Sequence, residues 1–159
     1  MSDNTDINAL RRILRQYKTL AVVGLSANWY RPSYFAAKYM QEHGYRVIPV
    51  NPSYAGQSII GEKAYASLKD IPDKVDIVDC FRKSADIEPI TDEAIAIGAK
   101  VLWMQLGVMN EKAAARARQA GLEVVQDRCV KIEHGRLFGG LSWVGVNTKV
   151  ISAKRPTWL

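Results

Sequence analysis

Apolar residues along the chain fall into short continuous runs, separated by stretches with helical spacing. Each run is typical of a strand buried on both faces of a sheet. The runs predict strands at residues 19–25, 45–50, 75–80, 100–104 and 123–126. Stretches with apolar residues three or four positions apart predict helices at residues 7–17, 33–43, 85–97 and 111–120.

Polar residues and glycines mark where these helices begin and end. Ser84 and Asn110 are predicted to cap the third and fourth helices, because short polar side chains accept from free backbone N–H groups. His43 falls at a predicted helix end, before a glycine. Residues 59–69 are ambiguous, and we predict a short extended piece near 63–65 followed by one helical turn.

Strands that alternate with helices predict an α/β fold with a doubly wound, mostly parallel sheet covered by helices on both faces. If residues 59–66 supply a third strand, the spatial order becomes 3-2-1-4-5-6, with strand 75–80 beside the first strand. Ligands bind such sheets at the carboxyl ends of the strands. The candidate site is therefore formed by the loops at residues 24–28, 51–53, 81–84, 105–107 and 127–129.

Composition narrows the class of protein. The chain has 159 residues, enough for one domain, and a net charge of +6 from 22 basic and 16 acidic residues. The basic residues are scattered, which favours an anionic small molecule over nucleic acid. No apolar run approaches the ~20 residues of a membrane span. The first 18 residues have no apolar core, so we expect no secretory signal there. Two cysteines without CxxC spacing favour a reducing, cytoplasmic compartment and disfavour a metal site.

The first strand-end loop resembles a nucleotide-binding turn only in part. Gly24 suits a tight turn, Ser26 offers a hydroxyl, and Arg31 precedes a helix start that favours anions. However, the G-x-G-x-x-G pattern is absent, and the second strand ends in Asn51-Pro52 rather than in a ribose-binding acid. A dinucleotide oxidoreductase is therefore disfavoured, and the missing P-loop disfavours ATP hydrolysis of that type.

Two further loops offer ligand chemistry. Phe81 places an aromatic ring beside Arg82 and Lys83, which suits a ligand with phosphates and a ring, although Phe81 could equally cap the core. Gln105 can present an amide and Gly107 permits close backbone approach, or the segment is only a turn.

No catalytic constellation is evident. A Cys129–His134 pair is conceivable, since a thiolate nucleophile needs a base nearby, but no second acid or oxyanion element accompanies it. Asp76 and Asp79 lie three apart in a strand and so face opposite sides. We therefore predict no catalytic residue and no metal ligand.

Six collinear segments resemble the small bacterial CoA-binding proteins, which are stand-alone Rossmann domains. That family is similar to the CoA-binding N-terminal domain of the succinyl-CoA synthetase α subunit, and the resemblance covers about residues 5–138. The segments are GLSANWYRPS (24–33), YRVIPVNP (45–52), GEKAYASLKDIP (61–72), VDIVDCFRKS (75–84), AIAIGAKVLWMQLGV (94–108) and DRCVKIEH (127–134). The resemblance implies a Rossmann-like, three-layer α/β/α fold with five to six strands.

The resemblance also implies that CoA or an acyl-CoA binds across the strand ends, without turnover by this chain alone. The residues implied to face the phosphates are Gly24, Ser26, Arg31, Pro32 and Ser33. Those implied to border the nucleotide are Asn51, Pro52, Phe81, Arg82, Lys83 and Ser84. Those implied to line the pantetheine side are Gln105, Gly107, Cys129 and Lys131. Val130 stands where the family usually has proline, so this loop is expected to be less stiff.

We expect residues 1–138 to form the CoA-binding domain. Residues 139–159 are expected to form an extension that packs on the same domain or on a partner subunit, which would make a homodimer. Three alternatives stay open: an NAD(P)-dependent oxidoreductase, the nucleotide-binding fragment of a CoA ligase or transferase, and a basic nucleic-acid-binding protein.

Overall fold

The computed structural model describes residues 6–139. Its helices are α1 (Ile7–Gln16), α2 (Pro32–Glu42), α3 (Ile87–Ala96), α4 (Glu111–Gln119) and α5 (Val130–Phe138). Its strands are β1 (Thr19–Val23), β2 (Arg46–Val50), β3 (Ser58–Ile59), β4 (Glu62–Lys63), β5 (Ile77–Cys80), β6 (Val101–Met104) and β7 (Glu123–Val125). Short 3₁₀ turns lie at Pro52–Tyr54, Leu68–Asp70 and Ser84–Asp86.

Five strands form one parallel sheet in the order β2-β1-β5-β6-β7. The chain moves outward from β1 to β2 and then crosses back to place β5 on the other side of β1. Strand order therefore reverses at β1, as a doubly wound sheet requires. The predicted position of strand 75–80 beside the first strand is confirmed, because Val23 lies opposite Cys80 in the register.

Helices cover both faces of this sheet, so the molecule has three layers. On one face, α3 and α4 pack against side chains that include Val78 and Leu102. On the other face, α1, α2 and α5 pack against side chains that include Ile77 and Trp103. Adjacent residues of one strand thus enter different cores, which explains why the strands read as continuous apolar runs. The predicted Rossmann-like α/β/α fold is confirmed.

Residues 59–66 do not supply a sixth strand of the sheet. They belong to a two-stranded antiparallel hairpin of β3 and β4, which Ile60 and Gly61 reverse with positive φ angles of 50° and 79°. Tyr65 then meets β2 through a single parallel bridge to Val50. The chain turns away after this bridge into the 3₁₀ turn at 68–70, so the pairing stops there.

The helix ends follow the prediction in part. Asn110 caps α4 by accepting from the N–H of Ala113 at 2.9 Å, as predicted. The predicted Ser84 cap of α3 is wrong, because Ser84 begins a 3₁₀ turn and its Oγ accepts from the N–H of Met109 at 3.1 Å. Helix α5 was not predicted. Of the expected extension at residues 139–159, all but Gly139 lies outside the described residues. None of the helices between residues 6 and 139 is long and apolar enough to cross a membrane.

Candidate functional site

Three strand-end loops converge where the strand order reverses. The N–H of Gly24 donates to the carbonyl of Val50 at 2.8 Å, and the N–H of Phe81 donates to the carbonyl of Val23 at 2.8 Å. Gly24 has a φ of +92°, and a Cβ at this position would overlap the carbonyl oxygen of Phe81. Glycine is therefore required for the loops after β1 and β5 to touch.

Two serines hold the β1–α2 loop in shape. The N–H of Ser26 donates to Oγ of Ser33 at 3.1 Å, and Oγ of Ser26 accepts from the N–H of Asn28 at 3.1 Å. Asn51 fastens this loop to the end of β2, because its side-chain amide donates to the carbonyl of Leu25 at 3.1 Å. Arg31 forms the exposed N-cap of α2.

Two cavities open along this edge of the sheet. The small cavity has a volume of about 440 Å³. It is lined by residues that include Gly24, Asn51, Pro52, Ser53, Ser67, Arg82, Asp86 and Glu93. The large cavity has a volume of about 1030 Å³. It is lined by Pro32, Phe81, Arg82, Lys83, Asp86, Gln105, Leu106, Val108, Cys129 and Ile132.

A charged ridge lies between the two cavities. Arg82 and Asp86 line both of them, and Nη2 of Arg82 is 3.4 Å from Oδ2 of Asp86. Both side chains are close to half exposed. The Cδ atom of Arg82 lies 3.0 Å from the point where a Cβ of Gly24 would stand, so this cation rests directly on the β1 loop. The pair of cavities therefore shares one accessible guanidinium.

The deep wall of the large cavity is tied together by a buried amide. Gln105 is 3% exposed, and its Nε2 donates to Oδ1 of Asp79 on β5. Its Oε1 accepts from the N–H of Val130 at 3.3 Å. Gln105 thus joins β5 and β6 to the first residue of α5, next to Cys129. Both polar ends of its side-chain amide are bonded within the protein.

Burial controls the titratable groups behind this wall. It raises the pKa of Asp79 to about 7, although the hydrogen bond from Gln105 opposes the shift. It also raises the pKa of the Cys129 thiol, against the opposing effect of the backbone N–H groups of Ile132 and Lys131. Cys129 is therefore a poor thiolate nucleophile at neutral pH.

His134 belongs to an aromatic cluster rather than to a catalytic pair. Its Nδ1 hydrogen-bonds the hydroxyl of Tyr39 at 3.0 Å, and its ring lies edge-on to that of Tyr45. Burial lowers the pKa of His134 to about 4, with a smaller contribution from His43. With this lowered pKa, His134 would be only a weak base in the hypothesised Cys129–His134 pair. Among residues 6–139, no cluster of His, Cys, Asp or Glu side chains could hold a metal ion.

The predicted site residues divide into three groups in the structure. Those that line the small cavity are Gly24, Asn51, Pro52 and Arg82. Those that line the large cavity are Pro32, Phe81, Arg82, Lys83, Gln105 and Cys129. Those outside both linings are Ser26, Arg31, Ser33, Ser84, Gly107 and Lys131.

Several of this last group support the site from behind. The N–H of Gly107 donates to Oδ1 of Asp127 at 2.7 Å, and the carbonyl of Ser84 accepts from the side chain of Asn110 at 2.9 Å. Lys131 is exposed, with its Nζ 5.9 Å from the ring centroid of Tyr39. These contacts fix the loops that shape the cavities.

Some lining residues were not singled out from the sequence. Two of them could have been predicted from the sequence. Leu106 lies inside the predicted loop 105–107, and Asp86 follows Arg82 at the i,i+4 spacing of an ion pair. Strand-end position could not indicate Ser67, Glu93 or Ile132, because these residues do not directly follow strands of the main sheet.

Comparison with known proteins identifies the family. Residues 18–135 match the model of the CoA binding domain. The chain is 39% identical to the uncharacterized protein YneT of Bacillus subtilis (strain 168) over 125 residues, which are 79% of this chain and 91% of that protein.

Solved structures share the fold. Prb, the PH1109 protein redesigned for binding, is 42% identical, with a TM-score of 0.83 over 87% of this chain and 96% of that chain. The dinucleotide forming acetyl-coenzyme A synthetase 1 of Ca. Korarchaeum cryptofilum is 23% identical, with a TM-score of 0.64 over 74% of this chain and 27% of that chain. This second likeness concerns the fold alone. The match over residues 18–135 shows that the chain belongs to the CoA binding domain family.

Proposed function

We propose that this protein binds CoA or an acyl-CoA at the carboxyl edge of its sheet, without turnover of its own. The observation that carries the proposal is the position of Arg82, a cation on the ridge between a small and a large cavity. CoA has a matching layout, because its pyrophosphate joins a compact adenosine 3′-phosphate to a long, uncharged pantetheine chain.

This match assigns one part of the ligand to each part of the site. The pyrophosphate meets Arg82 and the N-terminal end of α2, since guanidinium groups and helix N-termini both favour phosphate. The adenosine 3′-phosphate occupies the small cavity beside Asn51 and Pro52. Pantetheine extends along the large cavity towards Cys129. The volume of this cavity, about 1030 Å³, accommodates the longer arm.

Two observations favour this ligand over an NAD-type dinucleotide. No acidic side chain follows β2, where such a ligand's ribose is usually held, because the strand ends in Asn51-Pro52. The family match over residues 18–135 also supports CoA. The raised pKa of Cys129 and the lowered pKa of His134 favour a binding role over nucleophilic catalysis.

The proposed partner is a small molecule in the reducing cytoplasm, where Cys80 and Cys129 remain free thiols as they are in the structure. Nucleic acid is disfavoured because Arg46 and Arg116 lie on separate elements and are each paired with an acid. A mobility shift assay at physiological salt should therefore show no shift.

Isothermal titration calorimetry tests the ligand. The full chain is titrated with CoA, acetyl-CoA, NAD, NADP and ATP, and we expect micromolar binding of the CoA compounds only. Binding of NADP without CoA would overturn the proposal. The absence of turnover is tested by incubating the protein with acetyl-CoA and measuring the free CoA thiol over time. Steady release of the thiol would contradict a purely binding role.

The Arg82→Gln variant tests the ridge. We expect CoA affinity to fall about tenfold or more, because a charge-assisted hydrogen bond to phosphate is lost. The matched control is Arg46→Gln at the opposite edge of the sheet, where Nη2 of Arg46 pairs with Oδ2 of Asp73 at 2.8 Å. The control removes the same charge and also an ion pair, yet should keep wild-type affinity.

A further inference from the structure

We propose that the large cavity selects CoA thioesters with an uncharged aliphatic acyl group over those with a free carboxylate. The inference rests on the proposed function, because it takes the pantetheine arm to end in the large cavity. The acyl group of the bound thioester would then lie at the far end of this cavity.

The charged side chains that line the large cavity all come from the chain just after β5. Arg82, Lys83 and Asp86 belong to a single segment, and two of them also line the small cavity. The remaining lining is apolar apart from Gln105 and Cys129, and it includes Leu106, Val108 and Ile132. A thioester that reaches past the ridge therefore enters apolar surroundings.

Polar groups near this far end are already engaged. Both ends of the Gln105 amide are bonded, to Asp79 and to Val130. Arg128, just before Cys129, donates from Nη1 to the carbonyl of Asp127 at 3.0 Å, and its Nε lies 3.7 Å from Oε1 of the buried Glu133. An acyl carboxylate placed here would have to compete for a cation or lose its hydration without compensation.

Lys131, another cation near this region, lies away from the lining. Nζ of Lys131 is 6.0 Å from the ring centroid of Phe35 and 5.9 Å from that of Tyr39, both on α2. Lys131 is exposed and is not among the residues that line the large cavity. It therefore stands on the outer surface between α5 and α2.

A buried acid adds repulsion from below. Asp79 is 1% exposed, lies beneath Gln105, and helps to raise the pKa of the Cys129 thiol, so its field reaches the cavity wall. Because the pKa of Asp79 is about 7, an additional carboxylate near Cys129 would be repelled above neutral pH, where Asp79 is ionised. An alkyl group carries no such penalty.

The rim beyond this wall offers apolar surface to an acyl chain. Leu106, which lines the large cavity from the β6–α4 loop, is 40% exposed. Covering such surface with the acyl chain should improve affinity by up to about fourfold for each methylene buried.

The test compares butyryl-CoA with succinyl-CoA by calorimetry on the full chain, since the two acyl groups have the same number of carbons and differ by a terminal carboxylate. We expect butyryl-CoA to bind about tenfold tighter or better. If CoA binds and succinyl-CoA binds as tightly as butyryl-CoA, this inference fails and the proposed function stands. If neither thioester nor CoA binds, the proposed function fails with it.

The Leu106→Lys variant locates the selectivity. A cation on the rim should reduce the preference for butyryl-CoA about tenfold, and the exposure of Leu106 allows the change without loss of folding. The matched control, Gln119→Lys, adds the same charge at the end of α4 on the opposite edge and should leave the preference unchanged. An unchanged preference in a folded Leu106→Lys protein would reject the assignment of the acyl group to this wall.

Discussion

Gly24 is the residue that lets the loops after β1 and β5 meet. Replacing Gly24 with alanine should lower the free energy of unfolding by about 2 kcal/mol or more, because it adds steric overlap with Phe81 to an unfavourable positive φ. Urea denaturation measures the loss, and calorimetry should show weaker CoA binding in any variant that still folds.

A matched control separates the stability lost through steric overlap from the stability lost through a positive φ angle. Gly121 has a φ of +90°, close to that of Gly24, but a Cβ there would meet nothing within 4 Å. Gly121→Ala should therefore cost only about 1 kcal/mol. Equal losses in the two variants would show that contact with Phe81 does not make Gly24 necessary.

Asp79 should make stability depend on pH. Burial raises its pKa from 3.8 to about 7, so the folded protein keeps a proton that the unfolded chain releases between these values. The free energy of unfolding therefore decreases as the pH rises through this window. Asp79→Asn removes this pH dependence. Between pH 5 and pH 8, the free energy of unfolding of the wild type should fall by about 3 kcal/mol more than that of the variant.

Urea denaturation across this pH range measures the difference. The control is Asp92→Asn on the surface of α3, where the carboxylate pairs with Arg116 at 2.7 Å. This variant should keep the pH slope of the wild type. Parallel profiles for wild type and Asp79→Asn would contradict the assignment of the slope to Asp79.

At the scale of elements, α4 depends on its cap. Asn110 accepts from the N–H of Ala113 at 2.9 Å and donates to the carbonyl of Ser84 at 2.9 Å. Asn110→Ala should therefore lower the free energy of unfolding by about 1–2 kcal/mol, measured by thermal and urea denaturation. Lys112→Ala, in the same first turn, leaves the cap intact and should change stability little. Similar losses in both variants would argue against a capping role.

Helix α5 shows why one element escaped prediction. Its buried residues are Val130, Glu133, His134 and Leu137, which have the spacing of a helical stripe. Two of the four are polar and can be buried because they have partners: Glu133 pairs with Arg136, and His134 hydrogen-bonds to Tyr39. A search for apolar periodicity cannot recognise a stripe in which two of the buried members are polar and have partners far away in the sequence or on the next turn.

At the scale of the molecule, the sheet made the position of the candidate site predictable. Parallel strands end at one edge, so the loops at 24–28, 51–53 and 81–84 could be expected to converge before their contacts were known. The division into two cavities could not be predicted, because it depends on where the Arg82–Asp86 pair stands relative to the Gly24 backbone. Such distances follow from packing, which strand-end position alone does not specify.

The two cores define the unit that should fold and bind. The buried side chains that the structure describes in the two cores lie between Leu10 and Leu137, so a chain that ends at Gly139 retains all of them. We expect this shortened chain to unfold cooperatively and to keep the CoA affinity of the full chain, measured by thermal denaturation and calorimetry. A chain that ends at Asp127 lacks α5 and with it Val130 and Leu137 of the second core, and it should lose cooperative unfolding. If the full chain binds CoA and the chain ending at Gly139 does not, then residues 140–159 contribute to binding and the expected domain boundary is wrong.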